Sequence, residues 1–67
     1  MSQNDQVLKR LKQGPITPLQ AWTELNILRL SARIYDLREQ GVNIVTHMIE
    51  HNDKRYAQYQ IERHGTG

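Results

Sequence analysis

The apolar residues of this chain keep a helical period as far as Gly41 and lose it afterwards. That change of period restricts the fold more than any other feature. Within NILRLSARIYDLREQG, from Asn26 to Gly41, the residues Ile27, Leu30, Ile34 and Leu37 recur at i, i+3, i+7 and i+10. Such spacing gives one side of a helix a narrow apolar stripe, so a single helix is predicted over this stretch. Gly41 stands where a helix stops. Asn26 either caps the start or takes a left-handed turn just ahead of it. Beyond Gly41, the runs Asn43 to His51 and Lys54 to Ile61 are rich in Ile, Val, Thr and Tyr, with Asn52-Asp53 between them. Two β-rich runs parted by two residues that tolerate positive φ predict a hairpin.

The turn sets the register. Pairing His51 with Lys54 puts Met48 opposite Ala57, Thr46 opposite Tyr59 and Ile44 opposite Ile61. One face of the hairpin is then almost wholly apolar and is expected to close over the helices. Glu50 opposes Arg55 near the tip, a favourable cross-strand pair. The other face carries Val45 opposite Gln60, His47 opposite Gln58 and Ile49 opposite Tyr56. Val45, Ile49 and Tyr56 make a small apolar patch. Scattered apolar residues on a surface are normal; the alternative is weak self-association of protomers through this face.

Two shorter helices come first. Ser2 with Asp5 resembles a capping box in which Asp replaces the usual Glu or Gln. Val7, Leu8 and Leu11 give an apolar face, Lys9, Arg10 and Lys12 surround it, and Gly14-Pro15 ends the helix, predicted from Asn4 to Gln13. Next, Thr17 is an N-cap, Pro18 takes the first helical position and Gln20 completes a capping box. Ile16 and Ala21 stand at staple positions. Leu19, Trp22 and Leu25 are expected to supply apolar contacts, with Trp22 in or near the core because its large area is costly to expose. This helix is predicted from Pro18 to Leu25. A turn of three or four residues separates it from the third helix, a helix-turn-helix arrangement that any tight helical hairpin also shows. The fold class is therefore α+β: a three-helix helix-turn-helix bundle followed by a two-stranded β-hairpin wing. A single domain is expected over residues 1–61, and residues 62–67 read as a polar tail that frays.

Composition narrows the chemistry. The 67 residues allow one small domain with a modest core. With no Cys, neither a disulfide nor a thiolate metal site can contribute. No segment resembles a signal peptide and no apolar run approaches spanning length, so the expectation is a soluble cytoplasmic protein with no membrane partner. His47 and His51 are four apart, but on a strand that spacing spans about 13 Å, too far for one ion. Ser2 is a cap and Ser31 lies inside a helix; neither has a motif that brings His and a carboxylate beside it. Glu24 reads as a surface charge. There is no Gly-rich phosphate loop or cofactor motif, so neither an enzyme nor a cofactor is expected.

Opposite the stripe of the third helix lie Leu28, Arg29, Ala32, Tyr35, Asp36 and Glu39, with Arg33 on one shoulder. A helix that enters a DNA major groove needs close approach and forked donors, and Arg is the usual reader of guanine edges. The plain alternative is a solvated face with ordinary charges. The net charge of +2 is only mildly basic and does not argue for nucleic acid by itself.

From Ile16 to Ile61 the chain resembles a family of small winged helix-turn-helix domain proteins of bacteriophages and prophages. The resemblance is carried by Ile16-Thr17-Pro18-Leu19 with Ala21, by Arg29-Leu30 with Ala32-Arg33-Ile34, by Leu37-Arg38, by Gly41, and by Lys54-Arg55 with Tyr59. Asn26 departs from the Gly expected before Ile27, although Asn adopts the same left-handed backbone. The resemblance implies binding of double-stranded DNA, in regulation of phage genes or in assistance to recombination. The third helix would enter the major groove with Arg29, Ala32 and Arg33 nearest the bases and Leu28 on the same surface. Ser31 and Tyr35 would reach phosphates, and Lys54 and Arg55 on the wing would meet phosphate or the minor groove. A second class of function is a winged helix that binds a host or phage protein instead; Asp36 and Glu39 on the exposed face and the low net charge favour it.

Overall fold

The structure is a computed structural model that describes residues 2–62. Its elements are α1 (Gln3–Gln13), α2 (Pro18–Leu25), α3 (Leu30–Glu39), β1 (Ile44–His51) and β2 (Lys54–Ile61). Three helices and an antiparallel hairpin are the expected class and order. The tail expected from Glu62 onward lies, past Glu62 itself, outside the described residues.

Each boundary has a local cause. Ser2 Oγ accepts the Asp5 N–H at 3.1 Å and opens α1. Gly14 closes it at φ 154°, ψ 180°, a backbone region essentially confined to glycine. At the start of α2 both halves of the capping box form: Gln20 N–H donates to Thr17 Oγ1 at 3.2 Å, and Thr17 N–H donates to Gln20 Oε1 at 3.1 Å. Asn26 ends α2 in the left-handed region at φ 57°, ψ 36°. Its N–H bonds the Trp22 carbonyl and the next N–H, of Ile27, bonds the Ala21 carbonyl, both at 3.0 Å. The Asn26 bond is an αL closure, in which the left-handed residue donates back four positions; the Schellman pair instead closes α3, where Gly41 at φ 97° donates to Arg38 and Val42 donates to Leu37, each at 3.0 Å.

The αL closure of α2 corrects the predicted third helix. It does not begin at Asn26 but at Leu30: Asn26 is left-handed, Arg29 is still non-helical, and the Arg29 carbonyl accepts the first bonds of the helix, from Ala32 and Arg33. Asn26 to Arg29 form the turn. Ile27 is still buried, but from the turn, alongside Leu30, Ile34 and Leu37 of α3. The stripe is therefore a true core face assembled from a turn and a helix.

The core consists of Val7 and Leu11 from α1, Ile16, Ala21 of α2, Ile27, Leu30, Ile34 and Leu37, and Ile44 of β1. Arg10 ties α1 to α2 through Glu24, Nε to Oε1 at 2.9 Å. The hairpin has the predicted register at every pair from Ile44–Ile61 to His51–Lys54. Asn52 and Asp53 both have positive φ, 52° and 63°, as a two-residue turn requires. A feature not anticipated is a third, one-residue strand. Ile16 exchanges both backbone bonds with Tyr59, at 2.9 and 2.8 Å. This bridge lies on the edge of β2 away from β1 and anchors the hairpin to the segment between α1 and α2.

Two expectations about burial are corrected. Trp22 is 46% exposed and Leu19 69% exposed, since α2 turns only Ala21 fully inward and rests on Leu25. The inner face of the hairpin closes over the helices only at its base. Ile44 is buried there and Tyr59 and Ile61 pack against the core, whereas Met48, farther toward the turn, is 65% exposed. On the opposite face Val45 and Ile49 are half-buried while His47 and Tyr56 stay exposed. Val45 and His47 line a cleft with the end of α1, and Tyr56 lines another with the start of α2. Among the described residues, no helix is long and apolar enough to cross a membrane.

Candidate nucleic-acid interface

The apolar stripe of α3 fixes which way its other side chains face. With Leu30, Ile34 and Leu37 in the core, a 100° advance per residue turns Ala32, Tyr35 and Glu39 outward and leaves Arg33 and Arg38 on opposite shoulders. Ser31 and Tyr35 are exposed and Ala32 is half-buried, so close approach is possible at the middle of the helix. Leu28 and Arg29 belong to the turn. Leu28 is 78% exposed, and Arg29 occupies the N-cap position without a side-chain hydrogen bond.

The charges of this surface divide into engaged and free. Arg33 is half-buried; its Nη2 lies 3.2 Å from Asp36 Oδ2, and its Nε is buried without a partner. Tyr35 Oη donates to Glu39 Oε1 at 3.4 Å. On the wing, Arg55 Nε sits 3.4 Å from Glu50 Oε2, the cross-strand pair expected from the register. Arg29 and Lys54 have no ion pair among the described residues. The engaged pairs are exposed enough to be worth little, up to about 1 kcal/mol, and a phosphate can displace the carboxylate.

The Ile16–Tyr59 bridge brings together elements the sequence keeps apart. A cleft places Lys54 and Arg55 beside the first turn of α2, with Leu19 and Tyr56 as its apolar lining. Sequence reasoning missed this neighbourhood, since only the pairing of Ile16 with β2 produces it. It also gave Arg38 no part of its own. In the structure Arg38 turns away from the outward face and toward the start of β1. The cationic fork of the last turn is thus engaged within the chain, while the free cations of this surface stand at the N-cap of α3 and at the hairpin tip.

The model of one protein family, described as the winged helix-turn-helix domain, matches residues 2–64. No curated protein and no solved structure matches the chain.

Proposed function

The chain belongs to the winged helix-turn-helix domain family, and from that premise we propose that it binds double-stranded DNA with α3 in the major groove and the hairpin wing on the backbone. Membership of the family supports a DNA-binding role in general. The finer reading is a regulator of the phage or prophage type, or an architectural factor assisting recombination, acting in the cytoplasm. One observation carries it: α3 buries its inner stripe of Leu30, Ile34 and Leu37, which leaves Ser31 and Tyr35 exposed beside the half-buried Ala32, with Leu28 and Arg29 exposed on the turn just ahead. In this reading Arg29 and Arg33 reach base edges, the latter by releasing Asp36. Ser31 and Tyr35 reach phosphates, and Lys54 and Arg55 hold the flanking backbone.

Fluorescence anisotropy with DNA fragments from the protein's own genomic neighbourhood tests it. Arg29→Ala is expected to weaken cognate binding by about 1–3 kcal/mol. Lys54→Ala should weaken binding to every sequence and lower the slope against log salt by about one. Variants that bind cognate and random DNA like the parent, at all salt concentrations, would remove the DNA reading.

A second reading is a protein-binding winged helix. Leu19, Trp22, Leu28 and Met48 are all exposed, and Asp36 and Glu39 neutralise part of the α3 face. It predicts that Leu28→Ala and Trp22→Ala impair function in cells while DNA binding stays as in the parent.

A further inference from the structure

The base of the hairpin is gripped by the last turn of α3. Arg38 Nε and Nη2 donate to the Ile44 carbonyl oxygen at 3.1 and 2.8 Å, and Nη2 also donates to Thr46 Oγ1 at 3.0 Å. The direction of that carbonyl explains the contact. In an antiparallel ladder, hydrogen-bonded pairs alternate with non-bonded ones. Tyr59 gives both its backbone bonds to Ile16, so its pairing with Thr46 is of the non-bonded kind. The Asn43 carbonyl accepts from Glu62 N–H at 3.0 Å, which is a bonded position. Ile44, between Asn43 and Val45, is therefore non-bonded, and its carbonyl points to the free edge of β1. Arg38 supplies the donors that no neighbouring strand provides. Its planar fork suits one acceptor approached by two N–H groups, and a cation at the end of a helix is favoured by the dipole.

This grip stands at the foot of a lever. β1 buries one side chain in the core, Ile44, and then runs outward past exposed Thr46, His47 and Met48 to the turn. The Ile16–Tyr59 bridge holds the other edge of the sheet at the same level, since Tyr59 pairs with Thr46. Eight residues of strand reach about 25 Å, so a tilt of about 10° at the base moves the tip by roughly 4 Å. That displacement exceeds the length of a hydrogen bond to phosphate.

We infer that Arg38 is a positioning residue: it sets the angle between α3 and the wing, so that Lys54 and Arg55 meet the backbone while α3 lies in the groove. The inference rests on the DNA-binding reading for its purpose but not for its geometry. Arg38 is exposed, but its guanidinium is committed to the base of β1.

The test compares the parent with Arg38→Ala, Arg38→Lys, Lys54→Ala and the double variant Arg38→Ala/Lys54→Ala. In the free proteins, residual dipolar couplings and amide relaxation report the orientation and mobility of β1 and β2 against α3. The hairpin of Arg38→Ala is expected to reorient or become more mobile while the helices keep their couplings. Arg38→Lys, which keeps the charge without the fork, should fall between. With DNA, Arg38→Ala should lower the salt slope by about one, as loss of a phosphate contact does. Lys54→Ala should then add little in the double variant, a non-additivity expected of coupled residues. An unchanged hairpin in free Arg38→Ala overturns the inference whatever the DNA does. So do fully additive losses with the parent slope retained. Should Arg38→Ala fail to fold, Arg38→Lys decides by the same readouts. A parent that binds no DNA overturns the DNA reading alone, and the free-protein couplings still decide whether Arg38 orients the wing.

Discussion

Helices α2 and α3 are neighbours of similar length, eight and ten residues, and they are held in opposite ways. α2 is closed at both ends by its own sequence, with a complete capping box at Thr17 and Gln20 and a left-handed stop at Asn26. It buries only Ala21 fully. α3 has no side-chain cap at its start; Gly41 closes its end, and it fully buries Leu30, Ile34 and Leu37. One helix is specified at both ends, the other by its inner face and a stop at one end only. The difference bears on function. A helix held through its inner face can change its outward side chains without losing its place, which is what a reading surface requires. A helix held by its caps serves as a fixed strut, and here it also carries the wing through Ile16, one residue ahead of the Thr17 cap.

The comparison breaks first in the core, if it breaks at all. Ile34→Ala removes a side chain that is 1% exposed at the centre of the α3 stripe. The expected loss is about 2–5 kcal/mol, enough to abolish a cooperative transition in so small a domain. Urea unfolding measures it, and a loss under about 1 kcal/mol would mean that α3 is held by something other than its stripe. Next in size, Thr17→Ala should cost about 1 kcal/mol through loss of the bond to the Gln20 N–H. The matching substitution on α3, Arg29→Ala, should leave stability nearly unchanged, since Arg29 makes no cap bond. Equal losses in the two variants would erase the contrast between the starts of the helices.

The end of α2 offers a sharper and smaller test. Asn26→Gly relieves a side chain from the left-handed region and should raise the thermal midpoint, by an energy of a few tenths to about 1 kcal/mol. Asn26→Ala should lower it, so the two variants must lie on opposite sides of the parent. The smallest effect is expected on the outward face of α3. Asp36→Asn removes the exposed partner of Arg33 and should change stability by no more than about 0.5 kcal/mol. It should also tighten binding to random DNA, because one carboxylate leaves the proposed DNA-binding surface. Weaker binding to random DNA would show that Asp36 holds Arg33 in a productive pose rather than restraining it.

Much of this architecture was legible residue by residue. The Thr17-Pro18-Gln20 box and the Asn52-Asp53 turn act through dihedral angles and hydrogen bonds a few residues long, so they mean the same thing in any fold. A two-residue turn with both φ positive leaves one register, and every pair of the hairpin follows from it. The four-residue stripe of Ile27, Leu30, Ile34 and Leu37 also named four core residues correctly. The first helical residue of α3 was not legible. Ile27 fits the helical period, yet it reaches the core from a turn, and spacing cannot tell a helix from a turn that delivers its side chain to the same place. Of the candidate interface, the exposed face of α3 could be read from the stripe opposite it. The engagement of Arg33 and Arg55, and the nearness of the wing to α2, could not.

What the sequence determined alone is therefore the set of elements, their caps and the pairing inside the hairpin, all consequences of short-range chemistry. What only the tertiary structure decided is coverage and angle. Trp22, Leu19 and Met48 are apolar but exposed, because burial depends on which element arrives beside a side chain rather than on the side chain itself. Ile16 finds Tyr59 across the fold, and Arg38 finds the Ile44 carbonyl only once β1 has an open edge. A backbone group left unpaired by one element must be satisfied by another, and which one does so is known only when the chain has closed on itself.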